Sequence, residues 1–192
     1  MRFVGIDPST KTGFVALDEN GEVLRAKEIQ GLGKVDPKRM RTMIVDIMQH
    51  IQKDDLICIE GFGFASQQAI QNGGIGWGVR MSLEGRGFSY REVAPNALKK
   101  FVKVSDWKGE TGSKVRLKGP EKKKAVKAAV IEHFVFQNKS DNIVDAYVLA
   151  QIARLIYLVR KDEVPLNTPS YQLEVVQTIL NPPIKERKKA KA

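Results

Sequence analysis

Three acidic side chains occupy positions from which they could hold metal ions. Asp7 ends the apolar segment RFVGID, and Glu60 ends the apolar run DLICIE. Asp145 lies in a long apolar segment, with Asp141 four residues and Asn142 three residues before it. Positions three and four apart share one face of a helix, so these side chains can face one site. Oxygen ligands of this kind favour Mg²⁺ or Mn²⁺.

Carboxylates that meet at one site repel one another unless cations neutralise them. Two bound ions, roughly 4 Å apart, would activate a water molecule and stabilise the leaving oxygen in phosphodiester hydrolysis. Structural interpretations exist as well: Asp7 could cap a turn, Asp141 could be a plain helix N-cap, and Asp145 could be exposed. Glu60 is harder to explain without a site, because a glutamate that ends a buried strand needs a partner or a metal ion.

The positive charge of the chain is concentrated in one stretch. Residues 99–139 contain twelve basic and four acidic residues, a net charge of +8 out of +10 for the whole chain. A local lysine excess favours a surface that follows nucleic-acid phosphates over a merely solvated face. The candidate DNA-binding residues in this stretch are Lys99, Lys100, Lys114, Arg116, Lys118, Lys122, Lys123, Lys124 and Lys127.

The elements that must position these residues follow from the hydrophobic pattern. RFVGID, GFVALDE and GEVLRAKEI predict three antiparallel strands joined by tight turns. Apolar residues recur at helical spacing from Asp36 to Lys53, and the apolar run DLICIE then predicts a central strand in parallel pairing. A glycine-containing helix over 66–85, a short strand YREVAP and a helix NALKKFVKV follow, then a basic loop over 104–119 and two further helices.

Length and composition favour one α/β domain. Of the 192 residues, 42% are hydrophobic, which suffices for a core. We expect a nuclease domain over 1–162 and a C-terminal extension over 163–192 that ends in the basic tail KERKKAKA. The single cysteine, Cys58, indicates a reducing compartment, and no apolar run reaches the roughly 18 residues of a membrane span. With two histidines and no cysteine cluster, a zinc site is not expected.

Four segments resemble, in order, motifs of the RuvC-type Holliday-junction resolvases. GIDPSTKTGFVAL resembles their first-strand signature, in which the aspartate is a metal ligand, and ICIEGF resembles their second acidic motif. APNALKKFV resembles the segment before their basic DNA-contacting loop, and DNIVDAYVLA resembles their last acidic helix. The resemblance implies an RNase H-like fold: a mixed five-stranded sheet with three antiparallel N-terminal strands, then parallel strands, flanked by helices.

The resemblance also implies an activity and its partners. A member of this family is a homodimer that resolves four-way DNA junctions by paired nicks with two metal ions, without a small-molecule cofactor, in the cytoplasm of a bacterial or phage-infected cell. The metal ligands would be Asp7, Glu60 and Asp145, helped by Asp141 or Asn142. The helix from Gln67 to Leu83 is the candidate dimer interface, unless it is an ordinary core helix.

The sequence departs from the family pattern at three places. Asn142 stands where the family has an acid, and Gly63 stands where it has an aromatic residue that stacks at the junction centre. Phe62 and Phe64 lie on either side and, like Trp107, could stack on unpaired bases, although burial would explain the two phenylalanines equally well. The loop over 104–119 is longer than the family's short glycine-containing loop.

Other functions are compatible with the same residues. A nuclease of this fold could act on RNA–DNA hybrids or on other branched DNA, and Asn142 could mark a DNA-binding module that has lost catalysis. GIDPSTKTGFVAL also resembles the phosphate-binding hairpin of actin-like kinases and ATPases. Those proteins need two such domains, and 192 residues are too few for them.

Overall fold

Five strands form a mixed sheet in the computed structural model, which describes residues 1–62, 69–110 and 113–182. The sheet strands are β1 (Arg2–Asp7), β2 (Thr12–Leu17), β3 (Val23–Ile29), β4 (Asp55–Glu60) and β5 (Tyr90–Val93), and a separate hairpin contains β6 (Trp107–Lys108) and β7 (Val115–Arg116). The helices are α1 (Lys38–His50), α2 (Ala69–Glu84), α3 (Pro95–Phe101), α4 (Gly119–Phe134), α5 (Asp141–Lys161) and α6 (Ser170–Leu180).

The strand order β3-β2-β1-β4-β5 confirms the predicted topology. β1, β2 and β3 pair antiparallel, whereas β4 pairs parallel with both β1 and β5. The β1–β4 register aligns Ile6 with Ile59, so the next position along each strand brings Asp7 beside Glu60. Two strand-ending carboxylates therefore meet at one edge of the sheet, as the pattern of apolar runs predicts.

One face of the sheet is covered by α5, which lies unusually close to the strands. A Cβ atom added to Gly5 would stand 1.9 Å from the Ala146 carbonyl oxygen, and one added to Gly13 would stand 1.9 Å from the Asn142 carbonyl oxygen. Only glycine permits this approach. Because α5 is pressed against β1 and β2 in this way, its first turns are held directly above the end of β1.

The apolar residues divide into two cores on the two faces of the sheet. Phe3, Val15 and Cys58 pack with α5 on one face, and Ile6, Phe14 and Ile59 pack with residues of α1 and α2 on the other. By length and composition α5 could cross a membrane, but 67% of its most apolar window is buried inside the protein. Its apolar sequence is therefore that of a core helix.

Two segments differ from the prediction. The stretch 104–119 is not simply a loop, because Trp107–Lys108 pairs with Val115–Arg116 as a short antiparallel hairpin.

The extension beyond residue 162 contains α6, whose Val175 and Val176 join the core beside α5. Its buried positions 172, 175 and 176 have helical spacing, but the first of them is a glutamine, so the apolar stripe is too short to stand out in the sequence. That glutamine donates a hydrogen bond to the Phe101 carbonyl oxygen at 3.2 Å.

Candidate active site and nucleic-acid surface

The structure brings four of the predicted site residues into one cleft. Asp7, Glu60, Asn142 and Asp145 all line a cavity of about 550 Å³ at the edge of the sheet where β1 and β4 end. Asp7 is buried, with 7% of its surface exposed, whereas Glu60 and Asp145 are half-buried in the wall of the cleft. Acids from two strands and one helix thus converge, although they are distant in sequence.

Burial and mutual repulsion disfavour the ionised forms of the carboxyls in the cleft. Burial raises the pKa of Asp7 well above its usual value, and the neighbouring Glu60 raises it further through charge repulsion and a side-chain hydrogen bond. Burial likewise raises the pKa of Glu60 to about 7 and that of Asp145 to about 7, the latter with contributions from Asp7 and Asp141. Three carboxylates with raised pKa values in one cleft form a site that attracts cations.

These raised pKa values predict how stability depends on pH in the absence of metal ions. The folded chain keeps protons on Glu60 and Asp145 up to about pH 7, whereas the unfolded chain releases them near the ordinary values of 4.5 and 3.8. Above about pH 5 the carboxyls with lowered pKa values, Asp36, Asp106, Glu121 and Asp141, are ionised in both states, so the free energy of unfolding should fall as the pH rises towards 7. Urea unfolding in a chelator at acidic and neutral pH measures this, and stability that rises towards pH 7 would contradict it.

Asp141 lies beside the cleft but is already paired with lysines. Its carboxylate contacts Lys127 Nζ at 2.6 Å and Lys123 Nζ at 3.1 Å. Burial alone would raise the pKa of Asp141, but the hydrogen bonds from Lys127 and Lys123 lower it. The side chain that caps α5 is that of Ser140, which accepts from the Ile143 amide at 3.4 Å, so Asp141 is not the helix cap.

Asn72 contributes an oxygen that the sequence does not reveal as part of the site. Within the described residues, its Oδ1 is the one fully buried side-chain oxygen or nitrogen without a hydrogen-bond partner. Asn72 lines the same cleft as Asp7, Glu60 and Asp145. A buried carbonyl oxygen without a partner costs about 1 to 3 kcal/mol, so it needs a ligand such as a cation or an ordered water.

The donor set of the cleft fits a hard divalent cation. Carboxylate and amide oxygens are the ligands that Mg²⁺ and Mn²⁺ prefer, and the unpartnered Asn72 oxygen adds one more. In the part of the chain that the structure describes, however, no three Asp, Glu, His or Cys side chains are arranged to hold one ion together. Asp7 and Glu60 are hydrogen-bonded to each other, and Asp145 is near enough to raise the pKa of Glu60.

A buried arginine organises the aromatic side of the cleft. Arg80 is 2% exposed, and its Nη2 donates to the Glu60 carbonyl oxygen at 2.8 Å while its Nη1 donates to the Gly76 carbonyl oxygen at 3.0 Å. The guanidinium also lies 4.3 Å from the centre of the Phe62 ring, and Phe62 in turn lies 5.3 Å from Trp77. Arg80 therefore holds both the end of β4 and the first predicted stacking residue. Phe64, the second one, lies outside the described residues.

The predicted basic residues divide into groups with different positions. Lys99, Lys122, Lys123 and Lys127 line a second cleft of about 230 Å³ that shares Glu60 and Asp145 with the first. Lys114 and Arg116 are exposed on the hairpin, and Lys118 precedes α4. The remaining two do not line this cleft. Lys100 pairs with Glu174 at 2.7 Å, and Lys124 is exposed on α4.

The comparisons with known proteins support the fold. No protein-family model matches the sequence, and no curated protein matches it either. Among solved structures, the chain is similar to Thermus thermophilus RuvC, with a TM-score of 0.55 and 16% identity, covering 85% of this chain and 98% of that one. It is also similar to T. thermophilus RuvC in complex with a Holliday junction substrate, with a TM-score of 0.54, 13% identity and the same coverage. The chain therefore has the fold of the RuvC resolvases, the RNase H-like fold that its sequence predicts.

Proposed function

We propose that this protein is a metal-dependent endonuclease that resolves four-way DNA junctions. The observation that carries the proposal is the convergence of Asp7, Glu60 and Asp145, three acids with raised pKa values, in a cleft bordered by lysines. The fold supports the choice of substrate, because one of the similar structures is a resolvase bound to a Holliday junction.

The acids of the cleft would hold two Mg²⁺ or Mn²⁺ ions. Asp7, Glu60 and Asp145 are the charged ligands, and Asn142, which lines the same cleft, is the better candidate for a fourth donor than the lysine-paired Asp141. Bound ions supply an activated water and stabilise the leaving oxygen during phosphodiester hydrolysis. The chain itself contributes positioning: the Arg80 hydrogen bond fixes the backbone at Glu60, and the close packing on Gly5 and Gly13 fixes Asn142 and Asp145.

The lysines would position the DNA backbone over the acids. Lys99 and Lys123 lie close enough to the carboxylates to offset part of the rise that burial causes in the pKa of Asp145. A phosphate that enters the cleft would therefore meet metal ligands on one side and ammonium groups on the other. The other lysines of α4 extend the positive surface. Lysine contacts to DNA phosphates recognise the shape of the backbone and depend little on the base sequence.

Phe62 would stack on a base that is unpaired at the crossover. Its ring already packs against the Arg80 guanidinium and lies 5.3 Å from the Trp77 ring, so it is held in place before DNA binds. Stacking of a base on an aromatic side chain contributes about 1 to 3 kcal/mol. Phe62 would thus take the role of the aromatic residue that the family has at the position of Gly63.

The exposed face of α2 supports a homodimer. Ile70, Trp77 and Met81 recur at helical spacing and are 95%, 57% and 63% exposed. Large apolar side chains that line one exposed helix face mark an interaction site. Two nicks placed symmetrically across a junction require two sites related by a two-fold axis, which a dimer provides.

Charges on this face should therefore dissociate the dimer. We expect the Ile70→Glu, Met81→Glu double variant to sediment as a monomer and to make single nicks, because glutamates that face each other across a two-fold axis repel. Leu166→Glu, a change at a fully exposed apolar residue outside α2, is the control and should remain dimeric. A parent protein that is monomeric at micromolar concentration, both free and bound to a junction, would contradict the dimer.

The test of the function is cleavage of a synthetic four-way junction. Cleavage that depends on Mg²⁺ or Mn²⁺ and prefers the junction to a duplex of the same sequence supports a resolvase. Equal cleavage of an RNA–DNA hybrid would indicate a general nuclease of this fold. Tight junction binding without cleavage in either metal would indicate a binding module.

A further inference from the structure

A further cavity lies at the end of the sheet opposite to the acids. It has a volume of about 300 Å³ and is lined by the beginning of β4 and β5 and by the last turns of α5, and we call it the Tyr157 cavity. Asp145 and Tyr157 are both on α5, and their separation in sequence corresponds to about 18 Å along the helix axis. The Tyr157 cavity is therefore separate from the cleft that holds the acids.

The walls of the Tyr157 cavity are largely apolar. Leu56, Ala153 and Ile156 line it. The Tyr157 ring forms another wall and packs on Phe3, with the two ring centres 5.6 Å apart. Leu56 is 36% exposed, although β4 has a neighbouring strand on each side. An exposed leucine on an inner strand, beside an open apolar cavity, is typical of a binding surface.

Two arginines give the Tyr157 cavity a positive rim. Arg91 and Arg160 line it, and none of the described residues that line it is acidic. The acids next to the cavity on the two strands, Asp55 and Glu92, pair with other arginines. In the part of the chain that the structure describes, neither Arg91 nor Arg160 forms a salt bridge. Their charges are therefore available to an anionic partner.

The charge of Arg91 also acts inside the cavity. Burial raises the pKa of the Cys58 thiol, which lines the cavity, to about 12, and the charge of Arg91 offsets part of this rise. The thiol is therefore protonated at neutral pH, and the Arg91 guanidinium lies close enough to influence it. A neutral floor leaves both arginines free to bind an incoming carboxylate.

We propose that the Tyr157 cavity binds an acidic peptide segment of a partner protein, which inserts one large apolar side chain between α5 and the beginning of β4 and β5. Carboxylates beside that side chain would accept charge-assisted hydrogen bonds from Arg91 and Arg160. A buried apolar anchor with a polar rim is the usual arrangement of a protein interface.

Charge and size favour a peptide over other occupants. Residues 183–192 of the chain itself contain five basic residues and one acidic residue, so the arginines would repel them. DNA phosphates could pair with the arginines, but they would not fill an apolar cavity, and the lysine-lined cleft lies at the other end of the sheet. Pockets that enclose small molecules start at roughly 300 Å³, so a cavity of this size suits a single side chain.

A peptide array tests the proposal with defined probes. It contains short peptides in which a phenylalanine, tryptophan or leucine is flanked by aspartates. Matched peptides have lysines in place of the aspartates, or alanine in place of the apolar residue. The full-length parent protein should bind the acidic peptides that carry an apolar anchor and neither matched set. Fluorescence anisotropy then measures the affinity for the peptide that binds best.

Variants of the protein locate the bound peptide. Arg91→Glu and Arg160→Glu each reverse one charge at the rim and should bind the peptide at least about tenfold more weakly. Ala153→Leu fills the cavity but keeps both arginines, and it should reduce binding to a similar degree. Arg41→Glu reverses the charge of an exposed arginine on α1 and is the matched control, which should bind like the parent. Circular dichroism verifies that each variant keeps the fold.

Three results would overturn the proposal. The first is a parent protein that binds no acidic peptide more tightly than the lysine counterpart. The second is an equal loss in Arg91→Glu and Arg41→Glu, which would mean that binding follows net charge and not the cavity. The third is a different occupant: a lower salt dependence of junction binding in Arg91→Glu would assign the arginines to DNA, and dissociation of a dimer would assign them to a second copy. Junction cleavage by the parent is measured separately, so this inference and the proposed function can fail independently.

Discussion

Replacing Asp7 with asparagine should abolish cleavage and, at the same time, stabilise the metal-free protein. The asparagine keeps the shape of the side chain but removes a charged ligand, so cleavage should fall at least about a hundredfold. Burial and Glu60 raise the pKa of Asp7, which means that its ionised form is disfavoured in the folded state. A neutral side chain should therefore increase the free energy of unfolding of the metal-free protein near pH 8.

Single-turnover cleavage and urea unfolding of the same Asp7→Asn preparation check both effects. Asp46→Asn is a suitable control, because Asp46 pairs with Lys27 at 3.1 Å on the surface and does not line the cleft. The control should cleave like the parent and gain no stability. If Asp7→Asn cleaved a junction as fast as the parent, the proposed metal site would be misplaced.

Neutralising Lys122, Lys123 and Lys124 together should produce the largest loss of DNA affinity. These residues lie in the first turns of α4, where backbone N–H groups also favour anions. Removing one lysine–phosphate interaction should reduce the salt dependence of binding by about 0.9 in slope, for all DNA sequences alike. Asp106 keeps its ion pair with Lys99 and Asp141 keeps its ion pair with Lys127, so the fold should lose little stability.

A second triple variant, which removes the same charge elsewhere on the surface, tests whether the position of the lysines matters. Lys53, Arg160 and Lys161 are exposed at the other end of the sheet, where β4 begins and α5 ends, so their replacement by alanine should change binding little. Fluorescence anisotropy with a labelled junction over a range of salt concentrations measures both variants. If the two triple variants had the same salt slope, the basic segment would be a solvated face and the DNA would lie elsewhere.

The fold is largely predictable because its strands are short, apolar and separated by clear turns. The run DLICIE, for example, coincides with β4, and its parallel pairing follows from the helix that precedes it. The two elements that escape prediction have weak local patterns. The paired residues of the hairpin are exposed and form two-residue strands, and α6 begins its buried stripe with Gln172, so neither has the periodicity of a buried element.

The candidate site is predictable where it depends on strand ends and not where it depends on side-chain direction. Asp7 and Glu60 follow from the positions at which two adjacent strands end. Asn72 and Arg80 do not, because α2 is rich in glycine and its sequence does not show which polar side chains face the cleft. The ion pairs of Asp141 with Lys123 and Lys127 depend on how α4 packs against α5, which only the tertiary structure reveals.

Cleavage of a four-way junction is the direct measurement of the proposed resolvase activity. Parent protein is mixed with a junction whose strands are labelled in turn, in Mn²⁺, in Mg²⁺ and in a chelator. We expect two nicks in opposing strands that release nicked duplexes, only with a divalent metal, and no comparable cleavage of a linear duplex or an RNA–DNA hybrid. Intact junctions in both metals, or equal cleavage of the linear duplex, would show that the protein is not a junction resolvase.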